Sequence, residues 1–312
     1  DVTAIDQHSK KVEIHEADGR NDLLQQVEHG ALSVVNGYLA LGRLYRGIIC
    51  PSLRQYVLLG DAAAMTDNIP GNEDDRWVFT ENNPGREITT AANLAATARV
   101  LKGFNDTLAV HCENIAKEIF EATAETRPGM KLQAAAELYI TTGAEEYMDY
   151  ITSNWDSVTG SVDRNGWFMA RVAKKMEGQK KYRKLTARWN EALQEYKTRL
   201  EEQTSATPYG VPYTPDIWGA GWSIQNFGFN HYFLVSAYPE VFSADPVTNS
   251  MNFVLGCHPG SNQASFASGV GAQSATVGYG LNRADWSYIP GGVISGTALI
   301  RPDFPELLEW PY

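Results

Sequence analysis

The chain has 312 residues, 43% hydrophobic and 20% charged. That is enough for a large core in one big domain or two ordinary ones, and too apolar for a disordered or fibrous chain. Acidic residues outnumber basic ones 37 to 26, for a net charge of -11 and a pI near 5.1, the opposite of the balance a generic nucleic-acid binder carries. No apolar run approaches the roughly 20 residues of a membrane span; the longest, Tyr56 to Met65, is broken by Gly60 and Asp61.

In chain order, residues 1–21 form a polar leading segment with Lys10, Lys11, His15, Glu16 and Asp18. From Asp22 the pattern turns helical. Asn21 or Asp22 can cap it, and Leu23, Leu24, Val27, Val34, Val35, Tyr38, Leu39 and Leu41 recur at three- and four-residue steps. A loop of turn formers and acids follows at 66–75. Further helices are predicted over Thr89–Phe104, from a cap at Asp106 to about Ala124, and over Leu132–Thr142, Ala144–Ile151, Trp167–Lys175, Lys180–Gln203, Ser223–Tyr238 and Asn249–Leu255. In the long 180–203 helix, Leu185, Trp189, Leu193, Tyr196 and Leu200 share one stripe, so Trp189 reads as core. Strand-like alternation is almost absent. Helices joined by short Pro- or Gly-bearing turns imply antiparallel hairpins in an all-α bundle, solenoid or toroid, and no repeat of roughly 30 to 45 residues supports the solenoid. After Leu255 the character changes: nine of the 27 glycines lie between Gly256 and Gly296, among Ser, Asn, Trp and Tyr. Such long irregular segments are usually functional or disordered, and the aromatic content here favours function.

Four groups of residues carry candidate chemistry. Tyr209, Tyr213, Trp218 and Trp222, then Trp286 and Tyr288, are expected in or beside loops, where flat rings suit the apolar faces of sugars; the alternative is core or interface. Arg283 and Asp285, two apart in Gly280–Trp286, can grip a polar ligand or simply fix their loop. Asp303, Glu306 and Glu309 share a face if helical, and such carboxylates serve either general acid–base work or a solvated helix start. Asp67, Asn68, Asn72, Glu73, Asp74 and Asp75 offer oxygens of the kind calcium uses, at a spacing that fits no standard calcium loop, so a solvated loop is expected, with calcium the alternative. The six histidines are scattered and no phosphate-binding signature is present. Cys50, Cys112 and Cys257 are far apart and odd in number; buried thiols are expected, with one bridge as the alternative. The chain begins at Asp1 without a signal-peptide pattern, so processing or a chain boundary is expected to precede it.

Phe253-Val254-Leu255-Gly256-Cys257-His258-Pro259, then Ser265-Phe266-Ala267-Ser268-Gly269-Val270-Gly271, then Arg283, resembles glycoside hydrolase family 9, where "YVLGxNP" leads to "SFVTGFG" and an "HHR" loop. Upstream and in the same order, Thr89–Arg99 resembles the family's Ala-rich helix. Ala134–Tyr139 with Thr142-Gly143 resembles "AAAELYxATG", and Trp218-Gly219 resembles "WGS". The resemblance covers 22–312 and is nearest to the C-terminal part of the catalytic domain of Bacteroidetes-type members with an N-terminal immunoglobulin-like domain. It implies an (α/α)6 toroid with an aromatic-lined cleft, a secreted or periplasmic bacterial enzyme, and inverting cleavage of β-1,4-glucan by a base that activates water and an acid that protonates the leaving oxygen. No cofactor is expected, with calcium the alternative.

The departures are specific. The family's base motif "DAGD" is absent; Asp61-Ala62-Ala63-Ala64 does not reproduce it. Leu281 and Asn282 replace the two histidines before Arg283. Glu309 stands where the final motif has Asp, and the chain ends at Tyr312 before that motif's Glu. The toroid is therefore expected to be incomplete at both ends, exposing apolar faces that favour a homo-oligomer or completion by other segments of the same domain. The candidate catalytic residues are Glu309, Asp285 and Glu306. The candidate sugar contacts are Arg283, Trp218, Trp222, Trp286, Tyr288, His258 and Tyr213. The leading expectation is a β-glucan hydrolase or a fragment of one; the rivals are a glycan-binding protein without turnover and an assembly module whose aromatics meet another protein.

Overall fold

In a computed structural model, the structure describes residues 3–6, 11–14, 19–49, 77–213, 220–257, 263–274 and 292–293. The acidic loop at 66–75 lies outside them. The chain divides into two compact units, Ala17–Asn154, and Asp1–Glu16 with Trp155–Tyr312.

In the unit Ala17–Asn154, α1 (Asp22–Leu41) is followed by strands β3 (Tyr45–Ile49) and β4 (Trp77–Thr80), then α2 (Pro84–Leu101), α3 (Asp106–Ala122), α4 (Leu132–Thr142) and α5 (Glu145–Ser153). Asparagine starts three of these helices. The side chains of Asn21, Asn83 and Asn105 accept from the amides of Leu24, Arg86 and Leu108, each satisfying a donor that the first turn leaves free. Asn105, not the expected Asp106, therefore caps α3; Asp106 accepts from the amide of Gly103 at 2.7 Å and closes the preceding turn. The core of this unit forms where α2 packs on α3 and α4. Ala91, Ala92, Ala95 and Ala98 of α2 and Ala134, Ala135 and Ala136 of α4 are all buried, and such short side chains allow helices to approach closely. Arg99 ties the two helices together, donating to the carbonyl of Glu137 at 2.9 Å and to Thr141 Oγ1 at 2.6 Å, and pairing with the buried Glu137 carboxylate. Gly143 ends α4 with φ 72, its amide donating to the Tyr139 carbonyl at 2.8 Å. The β3–β4 pair is antiparallel, with a register irregularity between Tyr45 and Gly47.

The second unit holds an antiparallel pair, β1 (Thr3–Asp6) and β2 (Lys11–Ile14), within the polar leading segment. After it come α6 (Trp155–Thr159), α7 (Val162–Met176), a 3-10 turn (Lys180–Tyr182), α8 (Arg183–Ser205), α9 (Ala220–Ala237) and α10 (Asp245–Val254). The stripe on α8 buries Trp189, Leu193, Tyr196 and Leu200 as expected. Trp189 donates through Nε1 to Tyr238 Oη at 2.9 Å, and Trp155 donates to the carbonyl of Leu185 at 3.1 Å, so both buried indoles are satisfied. Helix α9 packs against α7 and α10. Its contacts are close: a Cβ on Gly228 would lie 2.7 Å from Ser250 Cβ, and one on Gly166 of α7 would lie 3.1 Å from Leu234 Cδ2.

Among the described residues, no helix is long and apolar enough to cross a membrane. Cys112 is buried and its thiol is pushed up to about 11 by that burial. Cys257 corrects the expectation of buried thiols: it is free and exposed just beyond the end of α10.

Candidate functional site

The described part of the glycine-rich tail folds back onto α9 and α10. Buried Val211, Ile224 and Phe253 form a small apolar cluster, with Tyr209, Tyr213, Phe227 and Phe266 packed around it. Phe253 is its centre: Tyr209 meets it edge-on at 5.1 Å, and Phe266 stacks on it at 5.1 Å and 18°. Both geometries suit the ring quadrupoles.

The two stretches Val254–Cys257 and Ser265–Gly271 interlock through backbone. Gly256 ends α10 with φ 83, and the Cys257 amide reaches back to the Asn252 carbonyl at 2.8 Å. A Cβ on Gly256 would fall 2.8 Å from the Gln263 carbonyl oxygen. One on Gly271 (φ 84) would fall 2.7 Å from that of Leu255. Only glycine fits both the left-handed backbone and the contact. The Phe266 amide donates to the Val254 carbonyl at 2.9 Å. Ser265 Oγ accepts from the amide of Ala267 at 3.0 Å and lies within donating distance of the carbonyls of Val254 (3.2 Å) and Ala267 (3.1 Å). β5 (Ala264–Ser265) pairs in parallel with β6 (Gln273–Ser274).

Two of the candidate sugar contacts lie here. Tyr213 is half-buried against Phe253, and burial together with the neighbouring Tyr209 raises its hydroxyl pKa, so it serves as wall more than as open platform. Trp222 is 53% exposed. It sits in the first turn of α9, and its Nε1 donates to the Val293 carbonyl at 3.3 Å. Helix α9 carries no Asp, Glu, Lys or Arg along its 18 residues, yet Trp222, Phe229 and Tyr232 are exposed on it. An aromatic surface flanked by Gln225, Asn226 and Asn230 is suited to a neutral, hydroxyl-bearing ligand. Glu309, Asp285, Glu306, Arg283, Trp218, Trp286, Tyr288 and His258 lie outside the described residues.

Two carboxylates with marked surroundings lie in the unit Ala17–Asn154, and both are committed to cations. Slight desolvation raises the carboxyl of Glu81, but hydrogen bonds from Arg46 and Asn83 and the charges of Arg46 and Arg86 outweigh it and hold the group below the usual range. Glu137 is paired with Arg99. With its carboxyl held low by those partners, Glu81 is a poor proton donor. In the other unit, His231 is buried on α9, stacked on Phe227, with Nε2 3.1 Å from the Ser243 carbonyl; burial lowers its pKa. That is a structural histidine. Among the described residues no group of three or more His, Cys, Asp or Glu is arranged to hold a metal ion.

Phe253, Ser265, Phe266 and Ser268 stand in the motifs that carry the family resemblance, but the sequence assigns no role to either serine and gives no sign of the Phe253–Phe266 stack.

Comparison with known proteins defines the class first. The structure resembles a metagenome-derived glycoside hydrolase family 9 endoglucanase (18% identity, TM-score 0.62, covering 90% of this chain and 54% of that one). It also resembles AaCel9A in complex with cellobiose-like isofagomine (16%, 0.66, 91% and 57%), and a Bacteroides ovatus family 9 protein (17%, 0.59, 92% and 58%). At these identities the likeness establishes the fold, which is all-α and of the (α/α)6 class expected from the sequence. The chain spans about half the length of these structures. The family profile "Glycosyl hydrolase family 9" matches residues 54–277, and the chain belongs to that family. No curated protein sequence matches it.

Proposed function

We propose that this chain is catalytic-domain sequence of a glycosidase that hydrolyses β-1,4-linked glucan with inversion. Family membership over 54–277 carries the reading, and the uncharged aromatic face of α9 supports a neutral polysaccharide as ligand. In the proposed reaction a carboxylate takes a proton from water as the water oxygen bonds to the anomeric carbon. A carboxylic acid across the cleft then protonates the departing glycosidic oxygen, the two carboxyls standing roughly 6.5–9.5 Å apart. Glu309 is the leading carboxylate, with Asp285 and Glu306 beside it. Arg283, Trp218, Trp222, Trp286, Tyr288, His258 and Tyr213 contact sugar. The reaction needs no cofactor; calcium on the 66–75 loop would show as a calcium-dependent gain in Tm. We further place the protein outside the cytoplasm.

The absence of a "DAGD" motif favours a second reading, glycan binding without turnover. Reducing-sugar release from soluble β-glucan, by the chain and by Glu309→Gln, separates the two. Release lost in Glu309→Gln supports hydrolysis; oligosaccharide binding with no release supports the second reading; neither overturns both.

A further inference from the structure

A groove of about 340 Å³ runs between α9 and α10. Helical spacing makes it: Gln225, Phe229 and Tyr232 line it from one stripe of α9, and Val247, Met251 and Val254 from one stripe of α10. At its floor Gly228 and Ser250 are buried against each other, so close that a Cβ on Gly228 would lie 2.7 Å from Ser250 Cβ. The Ser250 hydroxyl is already committed, donating to the Pro246 carbonyl at 2.7 Å. On the rim stand Phe229, Tyr232 and Met251, each more than half exposed. The two rim rings are held in place, since both meet Phe233 edge-on, at 5.1 and 5.8 Å. Small buried residues below and large exposed ones above give a ridge and a groove in one patch.

We propose that a second copy of this chain docks on the α9–α10 face, in a two-fold dimer that uses the same patch on both copies. Charge selects this occupant. The chain carries a net charge of -11, so two copies repel, and they meet at least cost where neither presents an ion. No residue lining the groove is charged, and α9 carries no charge along its 18 residues. Shape selects it too. A two-fold contact needs a patch that complements itself, and this one offers both the rim side chains and the groove to receive them. Aromatic and methionine side chains are the types that concentrate at interface centres, and rings already held by Phe233 lose little freedom on docking. Trp222 does not line the groove, so the dimer contact and the sugar contact argued above are separate claims.

Sedimentation velocity of the folded chain across the micromolar range tests this, beside Met251→Lys, Tyr232→Lys and, as a control, Val110→Lys. Val110 is 57% exposed on α3, in the other unit and outside the groove. The wild type should show a reversible monomer–dimer equilibrium. Added salt screens the repulsion between like-charged copies and should strengthen it. Met251→Lys and Tyr232→Lys should each weaken dimerisation about tenfold or more with the circular dichroism unchanged, because each brings an unpaired ammonium into an apolar contact. A lysine makes the chain less negative, so that loss cannot come from added repulsion between copies. Val110→Lys should dimerise as the wild type does. A wild-type chain that stays monomeric would overturn the proposal, as would a dimer indifferent to both groove variants or one weakened equally by Val110→Lys. A dimer that salt weakens, or open-ended larger species in place of a dimer, would overturn it as well.

Discussion

Phe253 at the end of α10 stacks on Phe266 with centroids 5.1 Å apart and planes 18° from parallel. The stack joins a helix to the loop that follows it. It lies beside the Phe266 amide's bond to the Val254 carbonyl and the collision a Cβ on Gly271 would suffer. Rings, backbone and glycine thus fix the same turn. Phe266→Ala removes one half of the stack from a half-buried place and should cost about 2 kcal/mol, with a Tm lowered by several degrees. A Tm within a degree of wild type in thermal melts would show that the ring is not a structural member.

Gly271→Ala addresses the same turn through the backbone. The φ of 84 strains any L side chain, and the new Cβ would sit 2.7 Å from a carbonyl oxygen. The two together should destabilise by about 2 kcal/mol, read as a lower midpoint in urea at unchanged slope. An unchanged midpoint would mean that the turn yields freely.

In the other unit, Arg99→Leu leaves the Glu137 carboxylate buried without its guanidinium partner and should cost about 3 kcal/mol. Adding Glu137→Leu removes the buried carboxylate as well and should return part of that loss. If the double variant is no more stable than Arg99→Leu alone in denaturant titrations, the pair is not coupled as described.

His231 gives a pH dependence with a fixed sign. Its folded pKa is lowered from 6.5 by burial, so below about 6.5 the unfolded chain binds the proton and the folded chain resists it. The contribution of the neutral ring is fully present above 6.5 and declines as pH falls toward the folded pKa. Replacing it in His231→Gln should flatten the Tm-against-pH curve below about pH 6.5 relative to wild type. Parallel curves would assign the acid sensitivity to other groups.

The helices were legible where apolar spacing was regular. Leu132–Thr142 matches α4 to the residue, and the stripe from Trp189 to Leu200 on α8 is buried as read. The start of α7 was missed because Arg164, Asn165 and Gly166 look like a turn. Gly166 is instead a packing residue, small because Leu234 lies against it. The β3–β4 pair was missed because a register irregularity interrupts it and Val78 and Phe79 are successive exposed residues without alternation. At the candidate site, the motifs pointed to the right turn, but which rings wall it and which stand free depends on contacts between segments far apart in sequence. Trp222 is an example: its partner is Val293.

The central claim is that this family 9 chain presents an aromatic surface that takes β-glucan. Calorimetric titration of the folded chain with cellotetraose tests it most directly, beside Trp222→Ala. Saturable binding to the wild type, weakened about tenfold in Trp222→Ala with the helical signal intact, is the result the account predicts. No saturable binding by a chain that retains its full helical signal would contradict it.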